Sequence, residues 1–215
     1  MIIKRLALDA TALADGRNEI WSEVAEKEIA LSPAPLALTN AVSPYMSRTS
    51  GHGKNESLKV RMLHDGNVLS IRLAWKDPSK DDAINDLDQF ADAAAVMFPM
   101  TPGASAFSMG SPDKAVNAWL WKADEQAPFD VMARGYATSA RREPQGSGLT
   151  ASGHYVNEHW IVVFQRTMKI SREETVSMVP GAELAIAFAL WEGSNNERSA
   201  QKSVSGEFVS MTIEH

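Results

Sequence analysis

The sequence predicts an all-β protein, an antiparallel β-sandwich with a few short helical turns. Apolar and polar residues alternate in many short segments, turn-forming residues separate those segments, and little of the chain has a helical pattern. With 215 residues, of which 44% are hydrophobic, the chain is long enough to bury a sizeable core. Sandwiches often reach this length undivided, so we predict a single domain over residues 1–215.

The first half of the chain contains one well-defined hairpin. Residues 58–63 and 68–75 alternate as strands do, and Asp65-Gly66 between them is a hairpin-turn signal. Before this hairpin, the pattern predicts a strand at 2–8, a polar connection at 11–18 and a loosely alternating segment at 21–31, which stops at Pro33. An irregular loop at 36–55 follows. After the hairpin, the pattern predicts a charged turn at 77–83 and one helical turn at 84–91.

The second half of the chain predicts a series of strands joined by polar loops. A short apolar run at 93–98 ends at Pro99, as a buried strand does, and a further strand carries Trp119 and Trp121 on one face. Further strands are predicted at 131–137, 149–155, 159–166, 182–190 and 204–213, with a long polar loop at 138–148. The whole chain therefore predicts nine or ten strands.

Charge and composition exclude several classes of protein. The net charge of −6 argues against binding of nucleic acid, because no basic patch is large enough to offset it. The longest apolar run, 182–191, is interrupted by Glu183 and is shorter than the roughly 18 residues that a membrane span needs. The absence of cysteine excludes disulfides, iron–sulfur clusters, a thiolate nucleophile and covalent haem attachment.

Common catalytic and metal-binding motifs are missing. There is neither a G-x-S-x-G elbow nor a glycine-rich phosphate loop, and the paired carboxylates Asp81-Asp82 and Glu173-Glu174 lie in charged turns. The five histidines share no metal-ligand spacing, and only His52, between two glycines, has a setting that suits a ligand near the backbone. A non-haem metal-dependent enzyme therefore stays open as an alternative, which metal analysis would test.

Six tryptophans leave a second alternative open, a cofactor-free carbohydrate-binding β-sandwich. Aromatic platforms suit sugar rings, but most of these tryptophans follow the alternation of strands and suit a sandwich core better. They are Trp21, Trp75, Trp119, Trp121, Trp160 and Trp191.

Two loops carry the most specific pattern in the chain. In the first, an apolar strand and Phe98-Pro99 lead into a loop rich in Pro, Gly and Ser, where Met109 stands in the pattern F-x-M-G-x-P before W-x-W-K at 119–122. In the second, Trp191-Glu-Gly precedes residues 197–205, which contain the sequence Lys202-Ser-Val-Ser. An apolar Met within a loop of small residues needs another group to cover it.

The order of these motifs resembles the haem b-binding gamma subunits of periplasmic molybdoenzymes of the dimethyl sulfoxide reductase family. That group includes ethylbenzene and dimethyl sulfide dehydrogenases and selenate and chlorate reductases. The resemblance covers nearly the whole chain, although the tryptophan that usually follows the final K-S-x-S is replaced here by Gly206-Glu207-Phe208. It implies that Met109 and Lys202 are the axial ligands of one noncovalent haem b.

The resemblance also implies a function, partners and a location. The chain is expected to be a non-catalytic b-type cytochrome in the periplasm, associated with a molybdenum-containing alpha subunit and an iron–sulfur beta subunit. It would relay electrons to or from a soluble cytochrome c, and chlorate reductase is the preferred parent complex. The N-terminal residues 1–9 lack the pattern of a signal peptide. The resemblance therefore implies that an export signal has been removed and that Met1 was added.

Residues that flank the two ligand loops are candidates for the haem pocket. Packing around an apolar macrocycle selects Phe98, Phe107, Trp119, Trp121, Phe188 and Trp191. Arg198 is a candidate partner for a haem propionate, because arginine prefers planar carboxylates.

The lysine ligand carries an energetic requirement. Only the neutral amine binds iron, and removal of the proton from a free lysine at pH 7 costs about 4.6 kcal/mol, which is roughly 3.4 pK units. Coordination and burial together must exceed this cost. A thioether is a softer ligand that favours ferrous iron.

Overall fold

The all-β fold is confirmed by a computed structural model that describes residues 1–7 and 10–215. Fourteen strands form within these residues, more than the nine or ten predicted, and three of the fourteen contain only two residues. The strands are β1 (Ile2–Arg5), β2 (Glu26–Ala30), β3 (Ser32–Pro33), β4 (Ser57–His64), β5 (Val68–Lys76), β6 (Ala93–Pro99), β7 (Val116–Lys122), β8 (Phe129–Ala133), β9 (Ala140–Arg141), β10 (Leu149–Val156), β11 (His159–Thr167), β12 (Glu183–Trp191), β13 (Ser203–Val204) and β14 (Val209–Ile213).

The strands form one hydrogen-bonded ladder whose two halves are joined by β1. The order is β10-β11-β5-β4-β1-β14-β12-β6-β7-β8-β9, with β2 added to β4 and with β13 and β3 added beside β12. β1 pairs in parallel with both β4 and β14, whereas the other pairs are antiparallel. The sheet is therefore mixed at β1, which a purely antiparallel prediction did not include.

The two halves pack against each other through aromatic side chains. Trp121 of β7 contacts Trp160 of β11 with ring centroids 4.9 Å apart, and Trp119 lies 6.5 Å from Phe164. Trp75 and Trp160 stack beside them, and all of these rings belong to one buried cluster. Such pairs contribute roughly 0.5–1.5 kcal/mol each beyond the area that they bury. The core therefore occupies the inner face of β7 and of its neighbours.

The predicted hairpin is confirmed: β4 and β5 pair in antiparallel fashion, and Asp65 and Gly66 form the turn between them. Asp65 Oδ1 accepts hydrogen bonds from the backbone N–H groups of Asn67 and Val68, both at 2.7 Å, and Gly66 has a φ of +100°. The Asp side chain closes the turn, and glycine supplies the left-handed conformation.

Several predicted elements need correction. The polar connection at 11–18 contains a short helix, α1 (Ala10–Ala14), whose Leu13 packs with Trp21 on the outer face of the sheet. Residues 84–91 form no helix, Pro33 pairs with Ser203 across β3 and β13, and the loop 138–148 contains β9. The predicted strand 2–8 ends at Arg5, and its last residue, Leu8, lies outside the described residues.

Within residues 1–7 and 10–215, the other helical elements are four short 3-10 turns at Glu19–Glu23, Leu36–Thr39, Met46–Arg48 and Gly193–Asn195. No helix in the described part of the chain has the length and apolar character needed to cross a membrane.

A buried carboxylate fixes the connection between β5 and β6. Asp92, which is fully buried, accepts hydrogen bonds from Trp160 Nε1, from the Asp81 N–H and from the Gly193 N–H, each at 2.8 Å. Burial raises the pKa of Asp92 to about 6. One side chain thus holds the ends of β6, β11 and β12 together.

Asp77 lies beside this network and is also fully buried. Burial, followed by the negative charges of Asp92 and Glu192, raises its pKa to about 8. The raised pKa means that Asp77 is protonated at neutral pH.

We expect Asp77→Asn to remove part of the pH dependence of stability. The folded protein holds a proton on Asp77 that the unfolded chain releases above pH 4, so this group lowers the free energy of unfolding as the pH rises from about 4 to about 8. Asp92 contributes in the same direction only between about 4 and 6. The variant should lose the decline between pH 6 and 8, keep only the part of the decline between pH 4 and 6 that Asp92 contributes, and melt at higher temperature than the wild type at pH 8.

Melting curves at pH 4–8 check this expectation. Asp88→Asn, a change of the same kind at an exposed position, is the matched control and should keep the wild-type slope. An Asp77→Asn protein with the wild-type slope above pH 6 would contradict the assignment.

Candidate functional site

A cavity of about 690 Å³ lies on the outer face of the sheet, over β6, β7 and β12. This volume falls within the roughly 300–1,000 Å³ that is typical of pockets for small ligands and cofactors. Both predicted ligand residues, Met109 and Lys202, line it. The cavity is therefore the candidate functional site.

Alanines form the floor of the cavity. Ala187 of β12 lies opposite Met97, and Met97 lies opposite Ala118 of β7. The next row runs from Ala189 through Ala95 to Leu120, and its members also line the cavity. Short side chains on three adjacent strands leave a broad, flat and apolar space above the sheet. Sequence analysis missed this floor, although the repeated A-x-A spacing is its signal.

Three of the predicted pocket aromatics do not lie in the cavity. Phe98, Trp119 and Trp121 are 0%, 1% and 6% exposed and belong to the buried core. The physical reason is the pleat: each alternates along its strand with residues that line the floor, so its side chain points to the opposite face. The predicted lining is corrected at these positions.

Phe188 occupies an intermediate place. It borders the cavity, but it is 2% exposed and belongs to the core cluster. Its neighbours Ala187 and Ala189 supply the floor, so the Phe188 ring packs on the core side of β12.

The structure does place Phe107, Trp191 and Arg198 around the cavity. Phe107 stands at the mouth and is 50% exposed. The Arg198 guanidinium lies 4.6 Å from the centre of the Phe90 ring, which also lines the cavity. Arg198 Nη1 donates to the Asn196 carbonyl oxygen at 3.1 Å, and the cation is held at the rim.

Met109 is held by its backbone in a rare conformation. Its φ is +57°, in the left-handed region, which costs a non-glycine residue about 1–2 kcal/mol. The Met109 carbonyl oxygen accepts a hydrogen bond from the Gly135 N–H at 2.9 Å, and the Tyr136 hydroxyl donates to the Phe107 carbonyl oxygen at 2.9 Å. Strain of this kind concentrates at functional sites.

Gly110 is required by the same loop. A Cβ there would lie 2.5 Å from the Lys114 carbonyl oxygen, and the φ of Gly110 is +86°. The glycine of the F-x-M-G-x-P motif therefore serves the close packing of two backbone segments.

Lys202 is positioned by the serines that follow it. Ser203 Oγ accepts a hydrogen bond from the Asn55 N–H at 3.1 Å, and Ser205 Oγ accepts one from the Phe188 N–H at 3.1 Å. The Lys202 carbonyl oxygen accepts from the Ala34 N–H at 2.9 Å. The K-S-x-S motif thus fixes the lysine between β12 and β3.

A buried carboxylate that sequence analysis missed organises the lysine loop. Glu197 is 2% exposed and accepts hydrogen bonds from the N–H groups of Gly53 (2.6 Å), Lys54 (3.2 Å) and Glu192 (3.1 Å) and from Asn195 Nδ2 (3.0 Å). These donors come from two segments of the chain, so Glu197 ties the start of the lysine loop to the residues before β4.

The segment between β3 and β4 covers one side of the cavity. Thr39, Val42 and Met46 line the cavity from this segment. The ring of His52 makes a 2.8 Å hydrogen bond to the Ala34 carbonyl oxygen and joins the two ends of the segment. His52 therefore closes a loop, and this bond accounts for its setting between glycines.

The side chains of Met109 and Lys202 meet inside the site. Lys202 Nζ lies 3.6 Å from Met109 Sδ, although the two residues are 93 positions apart in sequence. Burial lowers the pKa of Lys202 to about 8. The Trp191 ring lies 4.8 Å from Lys202 Nζ and favours the charged amine. Lys202 is only 7% exposed, however, and the effect of burial on its pKa is the larger of the two. Deprotonation at pH 7 then costs about 1 kcal/mol.

The tryptophans do not form a sugar platform. Trp21, Trp75, Trp119, Trp121 and Trp160 are at most 6% exposed. Trp191 is the remaining tryptophan of the chain, and it lines the cavity beside Lys202.

Sequence comparison identifies relatives over most of the chain. Residues 18–152 and 143–203 match the profile of the family described as ethylbenzene dehydrogenase. A candidate respiratory nitrate reductase heme subunit, ORF7 of Haloferax mediterranei, is 34% identical over 189 residues, which cover 87% of this chain and 64% of that protein. The chain thus spans slightly less than two thirds of the length of this relative.

Two further relatives are gamma subunits. The gamma subunit of chlorate reductase from Ideonella dechloratans is 27% identical over 208 residues, covering 96% of this chain and 82% of that protein. The gamma subunit of dimethylsulfide dehydrogenase from Rhodovulum sulfidophilum is 29% identical over 202 residues, which cover 91% of this chain and 73% of that protein.

Solved structures resemble the chain in fold. A family 9 carbohydrate-binding module from Caldicellulosiruptor kristjanssonii, in complex with glucose, has a TM-score of 0.52 and 11% identity and covers 100% of this chain and 95% of that one. A candidate carbohydrate-binding protein from Bacteroides uniformis has a TM-score of 0.57 and 10% identity, and the match covers 99% of this chain and 97% of that one. At such identity the likeness shows the sandwich fold alone.

We expect Gly110→Ala to destabilise the methionine loop by more than the roughly 1–3 kcal/mol of a left-handed alanine, because the new Cβ also clashes with the Lys114 carbonyl oxygen. Gly146→Ala is the matched control, since Gly146 has a φ of +74° and no atom within 4 Å of the added Cβ. Urea unfolding of both variants measures the difference. Equal losses of stability would show that the close contact at Gly110 has no energetic weight.

Proposed function

Because the chain belongs to the ethylbenzene dehydrogenase family, we propose that it is the haem-binding gamma subunit of a molybdoenzyme complex and transfers electrons for that complex. The observation that carries the proposal is the meeting of Met109 Sδ and Lys202 Nζ, 3.6 Å apart, within an apolar cavity of about 690 Å³. Two loops distant in sequence place a soft sulfur ligand and a nitrogen ligand at one point.

The residues present fit a haem. Met109 Sδ and Lys202 Nζ would hold the iron of the haem, because a thioether sulfur and a neutral amine nitrogen can both bind iron and the structure brings these two atoms within 3.6 Å of each other. The alanine floor is flat and apolar, as the face of a macrocycle requires, and burial has already lowered the pKa of the lysine.

When bound, haem supplies one-electron redox chemistry. With Met109 and Lys202 both bound to it, the haem would carry electrons and would not bind a substrate, which agrees with a non-catalytic subunit. Met109 favours the ferrous state, and Lys202 contributes a neutral amine. Phe107 limits the access of water at the mouth, and Arg198 is placed to pair with a propionate.

Attachment of the haem is proposed to be noncovalent, as one haem b. The chain has no cysteine with which a vinyl group could react, and the cavity contains one such Met–Lys pair. The proposed partners are a molybdenum-containing alpha subunit, an iron–sulfur beta subunit and a soluble cytochrome c in the periplasm. The support is the family, two of whose relatives are named as gamma subunits of chlorate reductase and of dimethylsulfide dehydrogenase.

For the parent reaction we propose chlorate reduction. The supporting observation is coverage: the chlorate reductase subunit matches 96% of this chain and 82% of its own length. Purification of the native complex, followed by assays with chlorate, nitrate and dimethyl sulfide, tests this assignment, and cell fractionation tests the location.

We expect the haem-loaded chain to show a six-coordinate, low-spin spectrum that requires both proposed ligands. Met109→Ala and Lys202→Ala should each convert the iron to a high-spin or water-ligated form, and acid–acetone should extract the haem from the wild type. Absorption and electron paramagnetic resonance spectra measure the change.

The cavity offers matched controls, because Met97 and Lys122 also line it. Met97→Ala and Lys122→Ala should keep the low-spin spectrum. If the low-spin spectrum survives Lys202→Ala but disappears in Lys122→Ala, the proposal is wrong about the lysine, and Lys122 is the ligand.

We also expect Ala118→Leu to weaken haem binding at least tenfold. The larger side chain would fill the floor between Met97 and Val131, while the rest of the fold should stay as stable as the wild type. Haem titration and thermal melting separate the two effects. Ala185→Leu, on the same outer face but outside the cavity, is the control and should bind haem normally. Normal binding by Ala118→Leu would exclude the alanine floor as the haem site.

A further inference from the structure

One edge of the cavity mouth is formed by an exposed and acidic segment. Residues 81–90, here called the acidic rim, connect β5 to β6 without regular structure. Ile84 and Phe90 of the rim line the cavity. Leu87, between them, is 97% exposed. A large apolar side chain at the tip of a rim beside a cofactor-sized cavity is a feature of a recognition surface.

Carboxylates surround this apolar centre. Asp82, Asp86 and Asp88 are exposed, and residues 81–92 contain no cationic side chain. Asp82 pairs with Lys80, which leaves Asp86 and Asp88 as the carboxylates beside Leu87. Ile84 is 45% exposed and extends the apolar centre toward the cavity. An apolar centre within a charged surround is the usual anatomy of a protein interface.

We propose that the acidic rim docks a small basic electron-carrier protein, with Leu87 and Ile84 against an apolar patch of the carrier and with Asp86 and Asp88 against its lysines. The role of this contact rests on the proposed function, since it brings the redox centre of the carrier to the cavity mouth. The docking itself rests on the charge and exposure of the rim. Anionic lipid and nucleic acid carry the same sign of charge as the rim and are repelled by it.

The chemistry of the rim suits a transient contact. Redox encounters bury less than about 1,200 Å² and depend on electrostatic attraction for fast association. Charges within a Debye length of about 8 Å act together at physiological salt, and steering of this kind raises association rates by about 10–10³.

Binding of a purified c-type cytochrome of net positive charge to the full chain tests the proposal. Isothermal titration at about 10 mM and about 150 mM salt measures the affinity, and a flavodoxin of net negative charge is the opposite probe. The variants are the triple change Asp82→Asn, Asp86→Asn, Asp88→Asn and the single change Leu87→Ser. The control carries the same change in charge on and before β2, as Glu19→Gln, Glu23→Gln, Glu28→Gln.

We expect both rim variants to weaken binding of the basic probe about tenfold at low salt, while the control stays within about twofold of the wild type. Higher salt should weaken wild-type binding, and the acidic probe should not bind. Equal losses in the rim and control triples would overturn the proposal, because net charge alone would then explain the binding. Cross-links from position 87 to the iron–sulfur subunit in the native complex would also overturn it.

The titration distinguishes the two proposals because it does not require haem. A chain that binds no haem but loses affinity in the rim variants would refute the proposed function and keep the docking surface. A chain with the expected haem spectrum and unchanged affinity in the rim variants would refute the docking surface alone.

Discussion

The pleat of β6, β7 and β12 is the constraint on which the core and the cavity both depend. Each of these strands presents large side chains such as Trp119 to the inner face and alanines such as Ala118 to the outer face. A shift of one residue in register would place the indoles in the cavity and the alanines in the core. The sandwich and its site are therefore specified by one pattern of alternation, and neither can change without the other.

The two loops that meet over this floor are ordered by the protein itself. Gly110 and the Gly135 N–H hold the methionine loop, while Glu197 and Ser203 hold the lysine loop. None of these contacts involves Met109 Sδ or Lys202 Nζ, so a group bound between these two atoms would leave the backbone of both loops in place. A site supported in this way needs little reorganisation on binding, because its backbone is already in place.

The sequence predicted the elements with local signals and singled out the two loops that carry Met109 and Lys202, but it did not predict the faces of the strands. Trp119 and Trp121 share a face at spacing two, yet the strand also carries Ala118 and Leu120, so alternation could not say which face is inside. Residues 93–95 are all alanine, and this apolar run suggested a buried strand instead of the floor of a cavity. Glu197 resembled a solvated loop residue because its partner Gly53 lies 144 positions away. Contacts of that range depend on the assembled fold.

The position of β1 has a consequence for the order of assembly. β1 is the bridge between the halves of the ladder, and its Ile2 pairs with Thr212 of β14, the last strand. During synthesis the hairpin of β4 and β5 can form early, but the ladder cannot close until the final strand has been made. Long-range pairing of this kind slows folding, since a large loop must close before its contacts form. The two halves of the ladder in the nascent chain therefore cannot be joined through β1 until β14 has been synthesised.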